Sequence, residues 1–495
     1  MNRRLRRALA LATVFGVAAV VPLAPGGHGF AAVQNGAAVH DGAAGRDGAA
    51  GRAETGAAGR APLAVSVSSM HALGTALAQA VPGDRIAVAA GVYANGTVRI
   101  TRSGTPTAPI TIAAATVGAA RLTGAAKIEF GEVSHVILAG FTFDNGAGLI
   151  VPPSASAVRV TRNTFNNVRG HNVTISADDS EVDHNAFQNK TSEGVYLQVN
   201  GPGSSGMARN VWVHHNHFFN HQFAGENNGE SIRFGLSGRQ HGDARGVIEY
   251  NLFERADGDS EAIGIKSTNN TVQYNTLLNS RGTISLRHGW GTRVDGNFVI
   301  GGRSGIRFFG NNHTIVNNVV QDSSGLPLEV GGGEIRDDTN STTAHEAADH
   351  CVVAFNTFVG TSGRVVKYGS DKPFDPSDIQ LSNNVIRGAG SSAVTGTGAS
   401  LRFQGNILFG APAGSMPSSG YRTVDPRLTR GTGNLFRLSS SSPAIDTAAG
   451  SFPQVTADMD LTTRTGTKDV GADEFATGGP QRRPLTRAEV GPSAP

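Results

Sequence analysis

The sequence predicts an all-β fold, a right-handed parallel β-helix (a solenoid) with a short N-terminal capping helix. Three observations predict it: an internal repeat of about 22 residues, an Asn at one position of that repeat, and a composition suited to short strands. Regular repeats of this length are typical of solenoids, in which each unit contacts only its neighbours. The individual elements follow from these observations.

The repeat consists of a few strand-forming residues, then Asn, then apolar residues, as in Thr-Val-Gln-Tyr-Asn275. Five of the nine intervals between successive copies are 21 to 24 residues long, and the others are longer. The repeated residues are Asn163, Asn185, Asn216, Asn251, Asn275, Asn297, Asn318, Asn356, Asn384 and Asn406. Asn at a turn predicts a ladder, because it tolerates the left-handed conformation and its amide can bond the next Asn. The three longest intervals, before Asn216, Asn251 and Asn356, predict inserted loops.

The composition favours three short strands in each coil. Glycine accounts for 66 residues and aromatic residues for 6% of the chain, which suits tight turns and short strands rather than long helices. Leucine-rich repeats have a similar period, but the Leu scaffold that they need is absent. The parallel β-helix therefore remains as the predicted architecture.

A single helix is predicted near the start of the repeats. A capping Ser68 is followed by Leu73, Leu77 and Val81 at helical spacing, and a Pro-Gly-Asp turn comes next. The first coil of a solenoid would otherwise expose its core, so a short amphipathic helix here would cover the open end.

The N-terminal residues 1–31 are predicted to be a signal peptide, which implies secretion. Four arginines precede an apolar run that is short for a membrane span, and small residues follow at a candidate cleavage site. These arginines are Arg3, Arg4, Arg6 and Arg7.

The rest of the chain divides by composition into three segments. Residues 32–62 are rich in Gly and Ala and are predicted to be a flexible linker. Residues 63–475 carry the repeats and form the predicted β-helix domain, whereas residues 476–495 are predicted to be a disordered tail.

The charge of the chain argues against nucleic acid as a partner. The formal net charge is +3, but residues 1–31 contain four arginines and no acid, which leaves about −1 for the remainder. The chain after residue 31 therefore lacks the overall positive charge that is typical of nucleic-acid-binding proteins. No further segment of the sequence resembles a membrane span. An anionic partner would have to bind a local patch of positive charge. The oligomeric state is left open.

Such a patch is predicted from four cations at nearly equal intervals. Lys266, Arg287 and Arg307 are separated by 21 and 20 residues and end similar apolar runs, and Arg233 lies in the same kind of strand one coil earlier. Residues one period apart stand above each other in a solenoid, so the four should form one row. An unpaired row of cations repels itself, which favours a polyanion as its ligand.

Acidic residues lie close to these cations in the sequence. Asp259 and Glu261 precede Lys266 and can point the same way on a strand, and Asn228 and Glu230 precede Arg233. Carboxylate and amide oxygens are suitable ligands for Ca²⁺, but the same acids could simply pair with the cations.

This set of residues suits cleavage of a uronic-acid polymer by β-elimination. The C5 proton of a uronate is weakly acidic, so the neighbouring carboxylate must first be neutralised by Ca²⁺ or Arg. A Lys can then remove the proton if nearby cations and burial favour its neutral form. His288 follows Arg287 and could orient a partner, although on a regular strand it faces the other side unless a bulge intervenes.

Three segments resemble polysaccharide lyase family 6, which contains alginate lyases and chondroitinase B. They are Asn228-Gly-Glu-Ser-Ile-Arg233, Asp257-Gly-Asp-Ser-Glu-Ala-Ile-Gly-Ile-Lys266-Ser267 and Leu286-Arg-His-Gly289. The resemblance extends from about Val65 to Phe475, and the Lys-Ser and Leu-Arg-His-Gly segments are its specific part.

The resemblance implies a parallel β-helix and Ca²⁺-assisted β-elimination. By match, Lys266 is the base and Arg287 the acid or the stabiliser of the leaving group. Arg233, His288 and Arg307 are expected to bind substrate. The ligand set implied for Ca²⁺ is Asn228, Asp259 and Glu261. The family usually has Glu where this chain has Asp259, whose shorter side chain puts the metal in doubt.

Three functions remain open from the sequence. A secreted lyase that acts on alginate is favoured, with a chondroitinase B-like lyase on dermatan sulfate as the nearest alternative. A hydrolase on the same fold would use paired carboxylates such as Asp257 and Glu261. A glycan-binding protein without catalysis is the third possibility.

Overall fold

The computed structural model describes residues 60–225, 227–303, 305–337, 343–360, 364–369, 371–390 and 392–495. Through these residues the chain winds repeatedly from sheet 1 to sheet 3 to sheet 2, adding a strand to each. Strands within these three sheets pair in parallel, as Thr271–Gln273 does with Arg293–Asp295. The right-handed parallel β-helix is therefore confirmed.

Among the described residues, sheets 1 and 3 contain fourteen strands each and sheet 2 contains ten. Sheet 1 consists of Ala64–Val67, Arg85–Val88, Ile110–Ala114, Ser134–Ala139, Ser156–Thr161, Glu181–Asp183, Trp212–His214, Val247–Glu249, Thr271–Gln273, Arg293–Asp295, Thr314–Val316, Val352–Ala354, Gln380–Ser382 and Arg402–Gln404. Sheet 2 consists of Leu149–Val151, Val173–Ile175, Leu197–Val199, Ile232–Gly235, Glu261–Lys266, Thr283–His288, Ile306–Phe308, Leu328–Val330, Val366–Tyr368 and Val394–Gly396. Sheet 3 consists of Gly91–Tyr93, Ala120–Leu122, Thr142–Asp144, Thr164–Asn166, Ala186–Gln188, His217–His221, Leu252–Ala256, Thr276–Leu278, Phe298–Ile300, Val319–Ser323, Thr357–Gly360, Val385–Arg387, Asn406–Phe409 and Tyr421–Thr423.

Smaller elements complete the described fold. Two further strand pairs are formed by Thr97–Ile100 with Lys127–Phe130, in parallel, and by Leu428–Arg430 with Phe436–Leu438, antiparallel. The short 3₁₀ helices are Ser237–Arg239, Ser418–Gly420 and Thr432–Asn434.

The predicted asparagine ladder lies at the turn from sheet 1 to sheet 3. Asn275 donates to Asn297 Oδ1 twice, from its backbone N–H and from Nδ2, each at 3.0 Å. The same link joins all ten repeated Asn residues, and every one of them is buried. The ladder thus satisfies polar groups that no water can reach.

The left-handed backbone of this turn belongs to the residue before each ladder Asn. Tyr274 has a φ of 56° and Gly296 a φ of 60°. The sequence therefore predicts the ladder correctly but places the left-handed residue one position too late. The preceding residue makes the sharp bend, and the Asn side chain can then turn inward to its partner.

The core between the sheets is a stack of apolar layers. Five phenylalanines of sheet 3 stack coil upon coil, with neighbouring ring centroids 4.7 to 5.0 Å apart. They are Phe143, Phe165, Phe187, Phe218 and Phe253. Because each ring meets its counterpart one coil away, the stack helps to fix the parallel register.

The capping helix is confirmed as Met70–Ala78, shorter than the predicted segment. Ser69, rather than Ser68, is the N-cap, and its hydroxyl accepts a hydrogen bond from the Ala72 N–H at 3.1 Å. Leu73 and Leu77 are both buried against the first coils, so the helix covers the end of the core as expected.

Residues 476–495 pack along the outside of the coils, in contrast to the disordered tail predicted from their composition. The Arg482 guanidinium lies over the Tyr274 ring, 4.6 Å from its centroid. Farther along, the Gly491 N–H donates to the His215 carbonyl at 2.8 Å. Residues 476–495 have no hydrophobic core of their own, and their contacts with backbone carbonyls and aromatic rings of the coils hold them in place.

The predicted signal peptide and nearly all of the predicted linker lie outside the described residues. Within the described part of the chain, no helix combines the length and apolar character that a membrane-spanning helix needs.

Candidate active site on sheet 2

The predicted cations lie on sheet 2, but they do not form a single row. Lys266 pairs with His288 on the next coil, and Ser285 pairs with Arg307. Arg233 belongs to the Arg307 row, two residues away from Lys266 along the strands. The predicted one-row arrangement is therefore wrong, although the four side chains share one sheet.

A β-bulge explains the difference. Between the strands Glu261–Lys266 and Thr283–His288, the register shifts after Ile265, so that Arg287 is the extra residue before His288. A bulge re-aims the side chains beside it. On a regular strand Arg287 and His288 would face opposite sides of the sheet, and the bulge allows both side chains to reach one site.

Lys266 lies almost completely buried among carboxylates. Its Nζ is 3.0 Å from Glu230 Oε1 and 3.9 Å from Glu261 Oε2. Burial alone would raise the pKa of Glu230, but Lys266 and Arg233 beside it hold that pKa below its usual value. Glu230 therefore stays ionised and fixes the position of the Lys266 amine.

Glu261 joins the remaining cations. Its Oε1 accepts hydrogen bonds from Arg287 at 3.2 Å, from Arg307 at 2.7 Å and from the Ser285 hydroxyl at 3.3 Å. Because the carboxylate is buried, these charge-assisted bonds hold both guanidinium groups on the same side of the sheet. Lys266 and Arg287 thus meet at Glu261 even though they are not in register.

A third carboxylate, Asp259, completes an acidic cluster. Burial raises the pKa of Asp259, and the negative charges of Glu230 and Glu261 raise it further. Among the described residues, Glu230 Oε2 and Glu261 Oε2 are buried without a hydrogen-bond partner. A hard cation bound here would accept these carboxylate oxygens as ligands and would reduce the repulsion between the carboxylates.

Asn228 supplies an amide oxygen at the edge of this cluster. Its Oδ1 accepts a hydrogen bond from Arg233 at 2.5 Å, and its Nδ2 donates to Glu193 at 2.6 Å. The amide is therefore oriented with its oxygen toward Arg233, itself 3.6 Å from Glu230 Oε2. The three sequence-predicted metal ligands are thus brought to one region, and their donor atoms suit Ca²⁺.

In the described residues, two groups of acidic and histidine side chains have ligand atoms within 4.8 Å of one another, and both lie away from sheet 2. Each contains an ion pair with an arginine: Arg159 binds Asp183 in the first, and Arg437 binds Asp460 in the second. Their members are Glu181, Asp183 and His214, and Asp458, Asp460 and Asp473. They are best understood as structural charge clusters.

Two histidines, His288 and His345, lie beside Arg287. Arg287 Nε donates to His345 Nε2 at 3.2 Å, and the His345 ring packs on His288 with centroids 5.0 Å apart. Burial, followed by the charges of His345 and Arg287, lowers the pKa of His288 to about 3. Both rings therefore lie at the site as neutral groups near pH 7.

Sequence reasoning named Glu230 without giving it a role and missed His345. His345 lies 58 residues beyond its partner, in the long interval before Asn356. That interval predicts a loop, but no local pattern shows that the loop folds back on Arg287. The length of the interval was the only available signal.

The chain matches the model of the chondroitinase B family over residues 67–387, more than half of its length and all of the candidate site. No curated protein matches the sequence.

Solved structures share the fold. The PL6 family alginate lyase AlyGC is 23% identical with a TM-score of 0.68, over 77% of this chain but only 56% of that one. A mannuronic acid specific polysaccharide family 6 lyase from the human gut microbiota is 24% identical with a TM-score of 0.64, over 73% and 91% of the two chains. A PL6 alginate lyase in complex with a trisaccharide is 21% identical with a TM-score of 0.63, over 77% and 92%.

The family match and the fold agree with the resemblance found in the segments around Lys266 and Arg287. The chain therefore belongs to the chondroitinase B family.

Proposed function

We propose that the protein is a secreted lyase that cleaves alginate by β-elimination. The observation that carries the proposal is the buried arrangement in which Lys266 contacts Glu230 while Arg287 and Arg307 share Glu261. It combines a fixed amine with two cations that can bind uronate groups, as elimination from a polyuronate requires.

In this proposal Lys266 reacts as a neutral amine, after it has lost a proton to solvent, and its Nζ takes the C5 proton of the uronate. The electrons of the broken C–H bond form the C4–C5 double bond, and the bond from C4 to O4 breaks. Arg287 stabilises the negative charge on the departing O4, which takes a proton from water as it leaves. Glu230 keeps the Lys266 amine in place, whereas Arg233, His288 and Arg307 bind the neighbouring parts of the polymer.

The proposed Ca²⁺ ligands are Asn228, Asp259 and Glu261. When bound, Ca²⁺ would neutralise the uronate carboxylate and so make the C5 proton more acidic. The carboxylate oxygens without a hydrogen-bond partner and the mutual repulsion at Asp259 support a cation at this place. The shorter Asp259 is expected to weaken its binding relative to a Glu.

Dermatan sulfate is the second candidate substrate. It is favoured by the matching family model, which is that of chondroitinase B. Alginate is placed first because the similar structures named above include alginate lyases.

Secretion is proposed from the arginine-rich, apolar start of the sequence alone. The test is to determine the N-terminal residue of the protein recovered outside the cell, which should lie just after residue 31.

An absorbance assay tests the reaction and the substrate together. The purified protein is incubated with poly-mannuronate, poly-guluronate and dermatan sulfate, with and without a chelator, and the ultraviolet absorbance of the unsaturated product is followed. We expect an increase with an alginate polymer that the chelator reduces. New reducing ends without this absorbance would instead indicate hydrolysis, and no turnover of any polymer would overturn the proposal.

A further inference from the structure

A cavity of about 380 Å³ opens on sheet 2 beside the candidate active site. It lies where strands Thr283–His288 and Ile306–Phe308 begin, whereas Lys266 lies at the end of its strand. We call it the arginine pocket, because Arg281, Arg303 and Arg307 line it. A substrate that crosses the sheet along the strand direction would reach both places.

The charge of the arginine pocket is positive. Arg307 is paired with Glu261 at 2.7 Å, and the one carboxylate in the lining, Glu329, lies 3.3 Å from Lys367. Arg303 forms no ion pair with any described residue, so its charge is available to a ligand. A concave site with an excess of cations concentrates anions.

The wall of the arginine pocket also has an apolar part. Ile306 and Leu326 line it together with the arginines. A sugar ring presents both C–H groups and polar groups, so a wall of this mixed character suits a sugar that carries an anionic group better than a small inorganic anion.

Arg307 connects the arginine pocket to the candidate active site. It lines the cavity and donates to Glu261 Oε1, the same oxygen that accepts from Arg287. The guanidinium groups of Arg287 and Arg307 are therefore neighbours. A polymer bound at Arg287 would place an adjacent sugar close to the pocket.

We propose that the arginine pocket is a subsite for the carboxylate or sulfate group of a sugar near the cleaved bond. The proposal rests on the proposed lyase function and adds to it a place where a second anionic group is recognised. Arg303 is the specificity-determining residue of this subsite, since it alone of the three arginines has no described partner to hold it elsewhere.

The test compares long and short substrates. Arg303→Gln and wild type are assayed with an alginate hexasaccharide, an alginate trisaccharide and a dermatan sulfate hexasaccharide. We expect the KM for the accepted hexasaccharide to rise about fivefold with kcat nearly unchanged, because uniform binding is lost. The trisaccharide should show a smaller increase, because it fills fewer of the positions beside the cleaved bond. Arg402→Gln is the control, since Arg402 is an exposed arginine on sheet 1.

Comparison of the alginate and dermatan sulfate substrates shows whether the pocket binds a carboxylate or a sulfate group. An increase in KM with the alginate hexasaccharide assigns the pocket to a carboxylate, and one confined to dermatan sulfate assigns it to a sulfate. If Arg303→Gln and Arg402→Gln give the same KM for every substrate while cleavage persists, the subsite is disproved and the lyase function stands. If wild type cleaves none of the polymers, the proposed function itself has failed.

Discussion

The asparagine ladder and the candidate active site are both groups of buried polar side chains in one solenoid. They differ in how many of their polar atoms have a hydrogen-bond partner. In the ladder, each inner Asn has a partner on both neighbouring coils. At the site, Glu230 Oε2, Glu261 Oε2 and His288 Nδ1 have no hydrogen-bond partner among the described residues. Buried polar groups in proteins are normally satisfied, so these atoms retain hydrogen-bonding capacity that a ligand could use. The ladder thus uses its buried polar groups for stability, whereas those of the candidate site can also serve a ligand.

The largest effect is expected from Lys266→Ala. Removal of the base should lower kcat about 10²- to 10⁴-fold, the usual contribution of general base catalysis. Circular dichroism should show an unchanged fold. Lys127→Ala is the matched control, because Lys127 is exposed on a strand outside the three sheets. Full turnover by Lys266→Ala would remove it from the role of base.

Asn297→Ala should break the ladder rather than the site. It removes the acceptor of the Asn275 backbone N–H and the side-chain donor to the Val272 carbonyl, at about 1 to 3 kcal/mol for each buried group. We expect the free energy of unfolding in urea to fall by about 3 kcal/mol, whereas kcat per folded molecule is unchanged. The exposed Asn95→Ala serves as the control. A loss of stability no larger than that of Asn95→Ala would contradict the structural role of the ladder.

Asp259→Asn should separate metal binding from folding. The affinity for Ca²⁺, measured by titration calorimetry, is expected to fall about tenfold or more, because a charged ligand is lost. Without Ca²⁺ the variant should be at least as stable as wild type, since a carboxylate repelled by Glu230 and Glu261 is gone. Asp371→Asn, an exposed acid, is the control. Unchanged Ca²⁺ affinity would exclude Asp259 as a ligand.

His345→Ala is expected to give the smallest effect, about a tenfold decrease in kcat with little change in KM. His345 acts through Arg287 by accepting its Nε–H, so it is a positioning residue. His345→Gln retains an acceptor and should restore part of the rate. In an Arg287→Ala background the same substitution should cost almost nothing, since the two act together. Additive losses would disprove the coupling, and the exposed His350→Ala provides the control.

The sequence predicts the repeating part of the molecule well. The period, the ladder and the capping helix all depend on contacts between neighbouring coils, which recur at a fixed spacing and so leave a pattern that can be read. The membership of the site is also predicted from the segments around Asn228, Lys266 and Arg287, because each segment lies on one strand or turn.

The rest depends on irregular or distant contacts. The bulge after Ile265 adds a single residue to one strand, and no spacing of cations could show it. His345 reaches Arg287 from a loop whose path is set by packing. The composition of residues 476–495 resembles a tail because the groups that hold it, such as the Tyr274 ring, belong to other coils.

The packed C-terminal segment has a consequence for how the molecule unfolds. In a solenoid whose coils touch only their neighbours, units can peel away one at a time from an end. Here the last residues cross from the coil of Gly296 to the coil of Arg162, which donates to the Pro492 carbonyl at 3.1 Å. Coils that are not adjacent are thereby tied together, so fraying at one end must release contacts several coils away. Unfolding that would otherwise proceed coil by coil is therefore expected to be more cooperative.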